Sequence, residues 1–173
     1  MLTRVTILLS ILGLALPAAT FAQGFTQGDK DLLLSGSGTS SSDFDNNVFS
    51  IAGSLGYFFT DRIEGLIRQD VLFADAEGSG SNWNGATRVA LDYHFDMGRV
   101  WPFIGVTLGY IYGDQVNDTW MAGPEGGVKV FVNDTTYILG MIEYDFFFDD
   151  SNNIEDAFDD GRFVYLLGIG FRW

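Results

Sequence analysis

The last twelve residues of the chain, Arg162 to Trp173, read RFVYLLGIGFRW and alternate between two kinds of side chain. Every second position carries a large apolar residue, while the positions between them are mostly small or charged. Because successive side chains of a β-strand point to opposite faces, this segment predicts a strand that separates two very different media. The apolar positions are Phe163, Tyr165, Leu167, Ile169, Phe171 and Trp173.

The same two-residue period recurs upstream and predicts seven further strands. A first strand at 30–39 is less regular, because Leu32, Leu33 and Leu34 are consecutive. The clearer strands lie at about 49–59, 63–73, 88–96, 103–112, 127–132 and 138–148. Tight turns at one end and long loops at the other are typical of an up-and-down barrel, so we predict an all-β, eight-stranded antiparallel β-barrel. The short connections are 60–62, 97–99 and 133–135, and the long ones are 40–47, 75–84, 113–119 and 149–161.

The direction in which the apolar face points decides between a soluble barrel and a membrane barrel. A soluble carrier would bury the large apolar residues in its interior, and this alternative stays open. Two features favour the membrane: the alternation holds for about the length that a tilted strand needs to cross a bilayer, and aromatic residues crowd both strand ends. We therefore predict a transmembrane barrel, although Gln69 falls on its lipid face without an explanation.

In a membrane barrel the small inward residues leave room for charged side chains in the lumen. Charges of both signs can pair there, whereas burying them unpaired would be costly. The predicted lumen network comprises Glu64, Arg68, Asp70, Arg88, Asp92, Lys129, Glu143, Asp145, Arg162 and Arg172.

The composition and the N-terminal segment restrict the possible partners and the domain organisation. The chain has 173 residues, no cysteine and a formal net charge of −14. So acidic a chain excludes a nucleic-acid partner, because phosphate contacts need clustered Lys and Arg. Arg4, an apolar run and the small residues before Gln23 predict a cleaved signal peptide at 1–22, which leaves one barrel domain at 23–173.

These features together resemble a known family. The signal peptide, the alternating strands, the segment Trp101 to Val106 after a short turn, and the terminal Gly168 to Trp173 are similar to the small outer-membrane β-barrels of Gram-negative bacteria, of the OmpA/OmpX-like type. The resemblance implies an integral, monomeric protein of the outer membrane with its turns in the periplasm and its loops outside the cell. It also implies contact with lipid and lipopolysaccharide, and recognition of the C-terminal strand by the outer-membrane assembly machinery.

Catalytic residues are hard to find in this sequence. Two enzyme types built on such barrels act on lipid A; one uses a His-x-Ser pair, but here the spacing reads His94-Phe95-Asp96 and the serine is missing. The other needs a histidine near the outer loops, whereas His94 lies by a short turn. With one histidine and no cysteine, a metal triad built on histidines and a histidine-based nucleophile triad are both excluded. We therefore predict no enzyme and no cofactor, with His94 as a hydrogen-bond partner for Asp92 and Asp96 in the lumen.

The last long loop is strongly acidic and is a candidate for binding divalent cations. A twelve-residue calcium loop starting at Asp149 fails, because Ile154 stands where the sharp turn needs glycine. A looser cage of oxygen ligands stays open as a prediction. Its candidate ligands are Asp149, Asp150, Asp156, Asp159 and Asp160.

The function predicted from sequence is that of a barrel whose lumen is plugged by its charge network, with a structural or surface-interaction role. The alternatives are a narrow porin-like channel and the soluble carrier of an apolar ligand.

Overall fold

The computed structural model describes residues 24–40, 46–76, 80–113, 119–148 and 161–173. Each strand pairs antiparallel with its neighbours in sequence, and the first pairs with the last, so the sheet closes into the predicted eight-stranded barrel. Among the described residues, no helix is long and apolar enough to span a membrane. The strands are β1 (Lys30–Ser40), β2 (Asn46–Phe58), β3 (Ile63–Ala76), β4 (Gly80–His94), β5 (Val100–Gly113), β6 (Thr119–Phe131), β7 (Thr136–Phe148) and β8 (Arg162–Arg172).

The three short connections lie at one end of the barrel, together with Gly24 and Trp173; we call this the turn end and the opposite one the loop end. The prediction of a long connection at 75–84 was wrong, because β3 and β4 continue and place Asp75 opposite Ser81. Alternation is a signal only where the two faces of a strand meet different media, whereas main-chain pairing needs no apolar side chain. The predicted signal peptide at 1–22 lies outside the described residues.

The large apolar side chains point outward, as predicted for a transmembrane barrel. Leu167 is 72% exposed and Ile104 is 61% exposed, while the lumen side of the same sheet buries charged residues such as Glu64 and Glu143 at 0%. An apolar surface of this extent is unsuited to water and suited to lipid. The interior expected of a soluble carrier, filled by these same apolar residues, is therefore wrong.

Gln69 does lie on the outer face, and its neighbours there account for it. Thr87 Oγ1 donates a hydrogen bond to Gln69 Oε1 at 2.7 Å, and Gln69 Nε2 donates to Tyr112 Oη at 3.0 Å and to the carbonyl oxygen of Ala86 at 3.1 Å. A polar group in lipid must find its partners within the protein. The Tyr112 ring covers Gly85, where a Cβ atom would lie only 2.6 Å from the ring. The polar amide is thus satisfied by side chains from β4 and β5.

The barrel is closed least completely between β1 and β8, a junction that we call the seam. Its register runs only from Asp31 opposite Arg172 to Ser35 opposite Gly168. Beyond that point β1 continues to Ser40 and β8 has already begun at Arg162, but the two strands are not paired. Every other junction is paired over at least ten positions. The seam therefore has the fewest main-chain hydrogen bonds, and its unpaired part lies towards the loop end.

Candidate functional site

The turn end of the lumen is filled by aromatic rings, which we call the aromatic cap. Phe25 stacks on Phe58 with ring centroids 4.1 Å apart, and its ring meets the edges of Trp101 at 5.5 Å and Phe131 at 5.2 Å. Such edge and offset contacts are the geometries that aromatic pairs prefer. All members are at most 3% exposed: Phe25, Phe58, Trp101, Phe103, Phe131 and Tyr137.

Phe25 comes from the segment before β1, which folds back beneath the barrel. Gly28, with a φ of +94°, turns this segment, and its N–H donates to the carbonyl oxygen of Phe58 at 2.9 Å. Asp29 accepts from the N–H of Thr26 at 2.9 Å and pairs with Arg172 at 3.0 Å. Arg172 also donates to the carbonyl oxygen of Gly24. These bonds hold Phe25 in the centre of the cap.

Directly above the cap lies a group of polar residues, the lysine cluster, made of Lys129, Asp31, Glu64, His94 and Tyr137. Lys129 Nζ lies 2.6 Å from Asp31 Oδ2 and 2.7 Å from Glu64 Oε2. Tyr137 Oη donates to Asp31, and His94 Nε2 lies 2.9 Å from Glu64 Oε2. All five side chains are at most 2% exposed. One ammonium is therefore shared between two carboxylates in a site closed to water.

The cap also contributes to the electrostatics of this cluster. Lys129 Nζ lies 4.8 Å from the ring centroid of Phe25 and 5.1 Å from that of Tyr137. A desolvated ammonium over aromatic faces gains about 2 kcal/mol from the ring quadrupoles. The cap and the lysine cluster therefore stabilise each other across the lumen.

The middle of the lumen holds a second charged group, the arginine cluster. Arg68 Nη1 lies 3.2 Å from Glu125 Oε2 and 3.4 Å from Glu143 Oε2. Arg88 reaches the same Glu143 oxygen at 2.9 Å, so this carboxylate bridges two guanidinium groups. The members of the cluster are Arg68, Asp70, Arg88, Glu125, Glu143, Asp145 and Arg162.

The arginine cluster becomes more exposed towards the loop end. Arg88 pairs with Asp70 at 3.4 Å and lies 3.8 Å from Asp145. Asp145 in turn pairs with Arg162 at 3.2 Å, and the Arg162 side chain is 50% exposed. Charges thus extend from the closed middle of the lumen to a face that meets solvent.

The ten residues predicted for the lumen network do not all meet. Glu64 and Lys129 join the lysine cluster, and six others join the arginine cluster: Arg68, Asp70, Arg88, Glu143, Asp145 and Arg162. Asp92 is buried in the lumen beside them, and its Oδ1 atom has no hydrogen-bond partner in the described part of the chain. Arg172 lies instead at the rim of the turn end, because its partner Asp29 precedes β1.

His94 is buried in the lumen, but its hydrogen-bond partner is Glu64 rather than the predicted Asp92 and Asp96. Asp96 is exposed and accepts a hydrogen bond from the N–H of Gly98 in the turn. Sequence reasoning missed three further lumen residues: Asp31, Glu125 and Tyr137. Asp31 precedes the irregular leucine run of β1, and Glu125 lies in a stretch of small residues that shows no alternation. Once the strand bounds are known, both can be recognised as lumen residues, because each is an acidic residue at an inward position of a strand.

Beside the arginine cluster and the unpaired part of the seam there is open space, which we call the loop-end cavity. It has a volume of about 710 Å³ and is lined on its lumen side by Ser35, Ser50, Ala52, Asp70, Met141 and Leu166. It also touches Gly36 in the unpaired part of the seam and the outward-facing residues Ile142, Tyr165 and Leu167, so part of this space lies on the outer side of the wall. The candidate cation ligands Asp149, Asp150, Asp156, Asp159 and Asp160 lie outside the described residues.

Solved structures share this architecture. The N-terminal β-barrel domain of OprF from Pseudomonas aeruginosa is 15% identical, with a TM-score of 0.58, over 85% of this chain and 98% of that one. The outer membrane protein OprG from Pseudomonas aeruginosa is 12% identical, with a TM-score of 0.54, over 87% and 98%. Neisserial surface protein A is 16% identical, with a TM-score of 0.52, over 83% and 94%.

No protein-family model matches the chain, and no curated protein is similar to it in sequence. The chain has the fold of the small outer-membrane barrels. Together with its belt of exposed apolar side chains, this fold is that of an integral β-barrel that spans a membrane.

Proposed function

We propose that this protein is a closed, non-conducting and non-enzymatic barrel that anchors its loops at the cell surface. The observation that carries the proposal is the sealed turn end. There the aromatic cap lies directly below the lysine cluster, and every member of both groups is at most 3% exposed. An eight-stranded barrel is only just wide enough for its own side chains, so two filled layers leave no aqueous path.

Opening this end is energetically costly. Moving Lys129 aside would leave Asp31 and Glu64 as buried carboxylates without their shared cation. Breaking a buried ion pair in this way costs about 3–5 kcal/mol. Thermal fluctuations of that size are rare, which supports a structural role in preference to transport.

The test is single-channel conductance of the refolded protein in a planar bilayer, with folding verified by faster gel migration before boiling. We expect no discrete current steps from the unchanged protein. Phe25→Ala removes the ring at the centre of the cap, admits water to the lysine cluster and should produce brief openings. Phe163→Ala is the matched control, because this phenylalanine is 64% exposed on the outer face and should leave the barrel silent. Reproducible steps from the unchanged protein would contradict the proposal.

A narrow channel is the second candidate, and the loop-end cavity of about 710 Å³ favours it. The arginine cluster in the middle of the lumen and the turn half would then both have to open. This candidate predicts steps in the unchanged protein, whose conductance falls when the cavity is narrowed by Ser50→Phe. The first conductance recording of the unchanged protein therefore distinguishes the two functions, because only a channel produces current steps.

The partners of the barrel follow from the same proposal. Lipid would contact the apolar belt, lipopolysaccharide would contact the outer rim, and divalent cations held by the acidic loop at 149–160 would bridge to its phosphates. The assembly machinery would recognise the terminal strand, whose outward residues end at Phe171 and Trp173. The barrel would work as a monomer. Replacing 149–160 by a short Gly/Ser linker should abolish cation-dependent binding to lipopolysaccharide vesicles and leave the gel shift intact.

A further inference from the structure

Three buried side chains at the boundary of the two charged clusters come together from neighbouring strands. Glu64 of β3 lies directly opposite Asp92 of β4 in the register, and both face the lumen. His94 lies two residues beyond Asp92 and therefore shares its face. One nitrogen or oxygen atom from each of the three lies within 4.8 Å of the other two. We propose that Glu64, Asp92 and His94 bind a divalent transition-metal ion of the Zn²⁺ type.

Each of the three side chains has one polar atom that is not hydrogen-bonded among the described residues. In the described part of the chain, Glu64 Oε1, Asp92 Oδ1 and His94 Nδ1 are buried atoms without a hydrogen-bond partner. The residues themselves are 0%, 2% and 0% exposed. Buried polar atoms are nearly always paired, and an unsatisfied one costs about 1–3 kcal/mol, or more if charged. The two free oxygens lie against Gly56 of β2 and Gly105 of β5, so both carboxylates would rotate towards His94 to share one ion.

The charge balance of the lumen indicates the sign of that partner. Among the described side chains that face the lumen, there are seven carboxylates but only four cationic groups. The carboxylates are Asp31, Glu64, Asp70, Asp92, Glu125, Glu143 and Asp145, and the cations are Arg68, Arg88, Lys129 and Arg162. A divalent ion at Asp92 would offset most of this excess. Lys129 would keep its 2.6 Å contact to Asp31 when Glu64 turns to the ion.

The sheet makes space for both carboxylates by means of glycines. A Cβ atom on Gly56 would lie 2.1 Å from Glu64 Oε1, and one on Gly105 would lie 1.8 Å from Asp92 Oδ1. Any other residue at either position would push the carboxylate away. The two acidic side chains therefore occupy room that only these glycines leave open.

The ligand types select the class of ion. One imidazole nitrogen and two carboxylate oxygens suit Zn²⁺ and similar first-row ions, whereas Ca²⁺ takes six to eight oxygen ligands. The sequence argument excluded a site built on several histidines, and this mixed set of ligands does not need them. The metal site is independent of whether the barrel conducts, because its three ligands are buried side chains that face the lumen.

The test uses the full-length refolded protein, first stripped with EDTA and then refolded with Zn²⁺ alone before dialysis. We expect one tightly held Zn²⁺ per barrel. Asp92→Asn and His94→Gln should each weaken Zn²⁺ binding at least about tenfold, since changes even to supporting residues reach that size. Asp145→Asn is the matched control within the lumen, and Asp149→Asn is the control for the outer loop. Both should bind Zn²⁺ within about twofold of the unchanged protein.

Co²⁺ provides a readout that does not depend on any variant. Co²⁺ in the unchanged barrel should show the stronger and red-shifted visible bands of an ion with few ligands, different from its spectrum in water. Two results would overturn the proposal: a folded barrel that retains no Zn²⁺ and leaves the Co²⁺ spectrum as in water, or binding that survives unchanged in both Asp92→Asn and His94→Gln. The first of these results would indicate that protons, not a metal, neutralise the excess carboxylates.

Discussion

The two halves of the lumen solve the burial of charge in different ways. At the turn end, an aromatic cap excludes water and one ammonium is shared by two carboxylates that are at most 1% exposed. Towards the loop end, pairs of opposite charge form a chain from Asp70, which borders the loop-end cavity, to the half-exposed Arg162 of β8. The comparison shows that the same alternating sequence pattern can build a water-free end or a solvent-exposed, charged one. The residues at the inward positions of the strands decide which of the two forms.

The largest expected effect is at the sealed half. Lys129→Ala leaves Asp31 and Glu64 buried without a cation, and we expect it to lower the free energy of unfolding by about 3–5 kcal/mol. Arg162→Ala, towards the loop end, should cost about 1 kcal/mol, because its guanidinium is half exposed and the buried Asp145 keeps Arg88 at 3.8 Å. Urea unfolding in lipid vesicles, followed by tryptophan fluorescence, measures both. Equal losses would remove the distinction between the two halves.

A second change probes how tightly the lumen is filled. Gly105→Ala places a methyl group within 2.8 Å of the Leu91 carbonyl oxygen and against Asp92 Oδ1. Overpacking of this kind costs about 1–3 kcal/mol. Gly140→Ala is the matched control on the outer face, where a Cβ atom meets nothing within 4 Å.

The same unfolding assay reads both glycine variants. We expect Gly140→Ala to be neutral or slightly stabilising, since alanine costs less chain entropy than glycine. A loss at Gly140 as large as that at Gly105 would show that the lumen is not the crowded side.

The smallest effect concerns the seam and needs no substitution. Trp173 and Lys30 exchange two main-chain hydrogen bonds, at 3.1 and 3.0 Å, so the odd-numbered N–H groups of β8 point to β1. Ile169 lies in the paired part of the seam, whereas Tyr165 lies beyond it. We expect the amide of Tyr165 to exchange with solvent deuterium at least about tenfold faster than that of Ile169. Similar protection at both amides, measured by NMR in micelles, would contradict an open seam.

Much of the fold could be predicted from sequence, because the period of two is a local property. It gave the number of strands, the closed barrel and the outward face at residues such as Ile104 and Leu167. It failed at 75–84, where the main chain pairs without an alternating pattern in the sequence, and at the beginning of β6, where a run of small residues hides the period. The sequence also gave no account of Gln69, since its partners Thr87 and Tyr112 come from other strands.

The pairing within the lumen could not be predicted in the same way. Lys129 and Asp31 are 98 positions apart, and they meet only because the barrel closes in one register. The opposition of Glu64 and Asp92 likewise depends on the β3–β4 register, and a shift by one residue would send one of them into lipid. Composition indicated that charges of both signs lie inside, but which charges meet is a property of the closed sheet.

The seam also has a consequence for the order of events during folding. It joins the first and last strands, so its formation closes the longest stretch of chain and carries the largest loss of chain entropy, with the fewest hydrogen bonds in return. The aromatic cap cannot be complete before this step, because Phe25 must reach rings on β2, β5, β6 and β7 at once. We therefore expect the seam to close late and slowly. The packing of Phe25 into the aromatic cap should accompany the last step of folding.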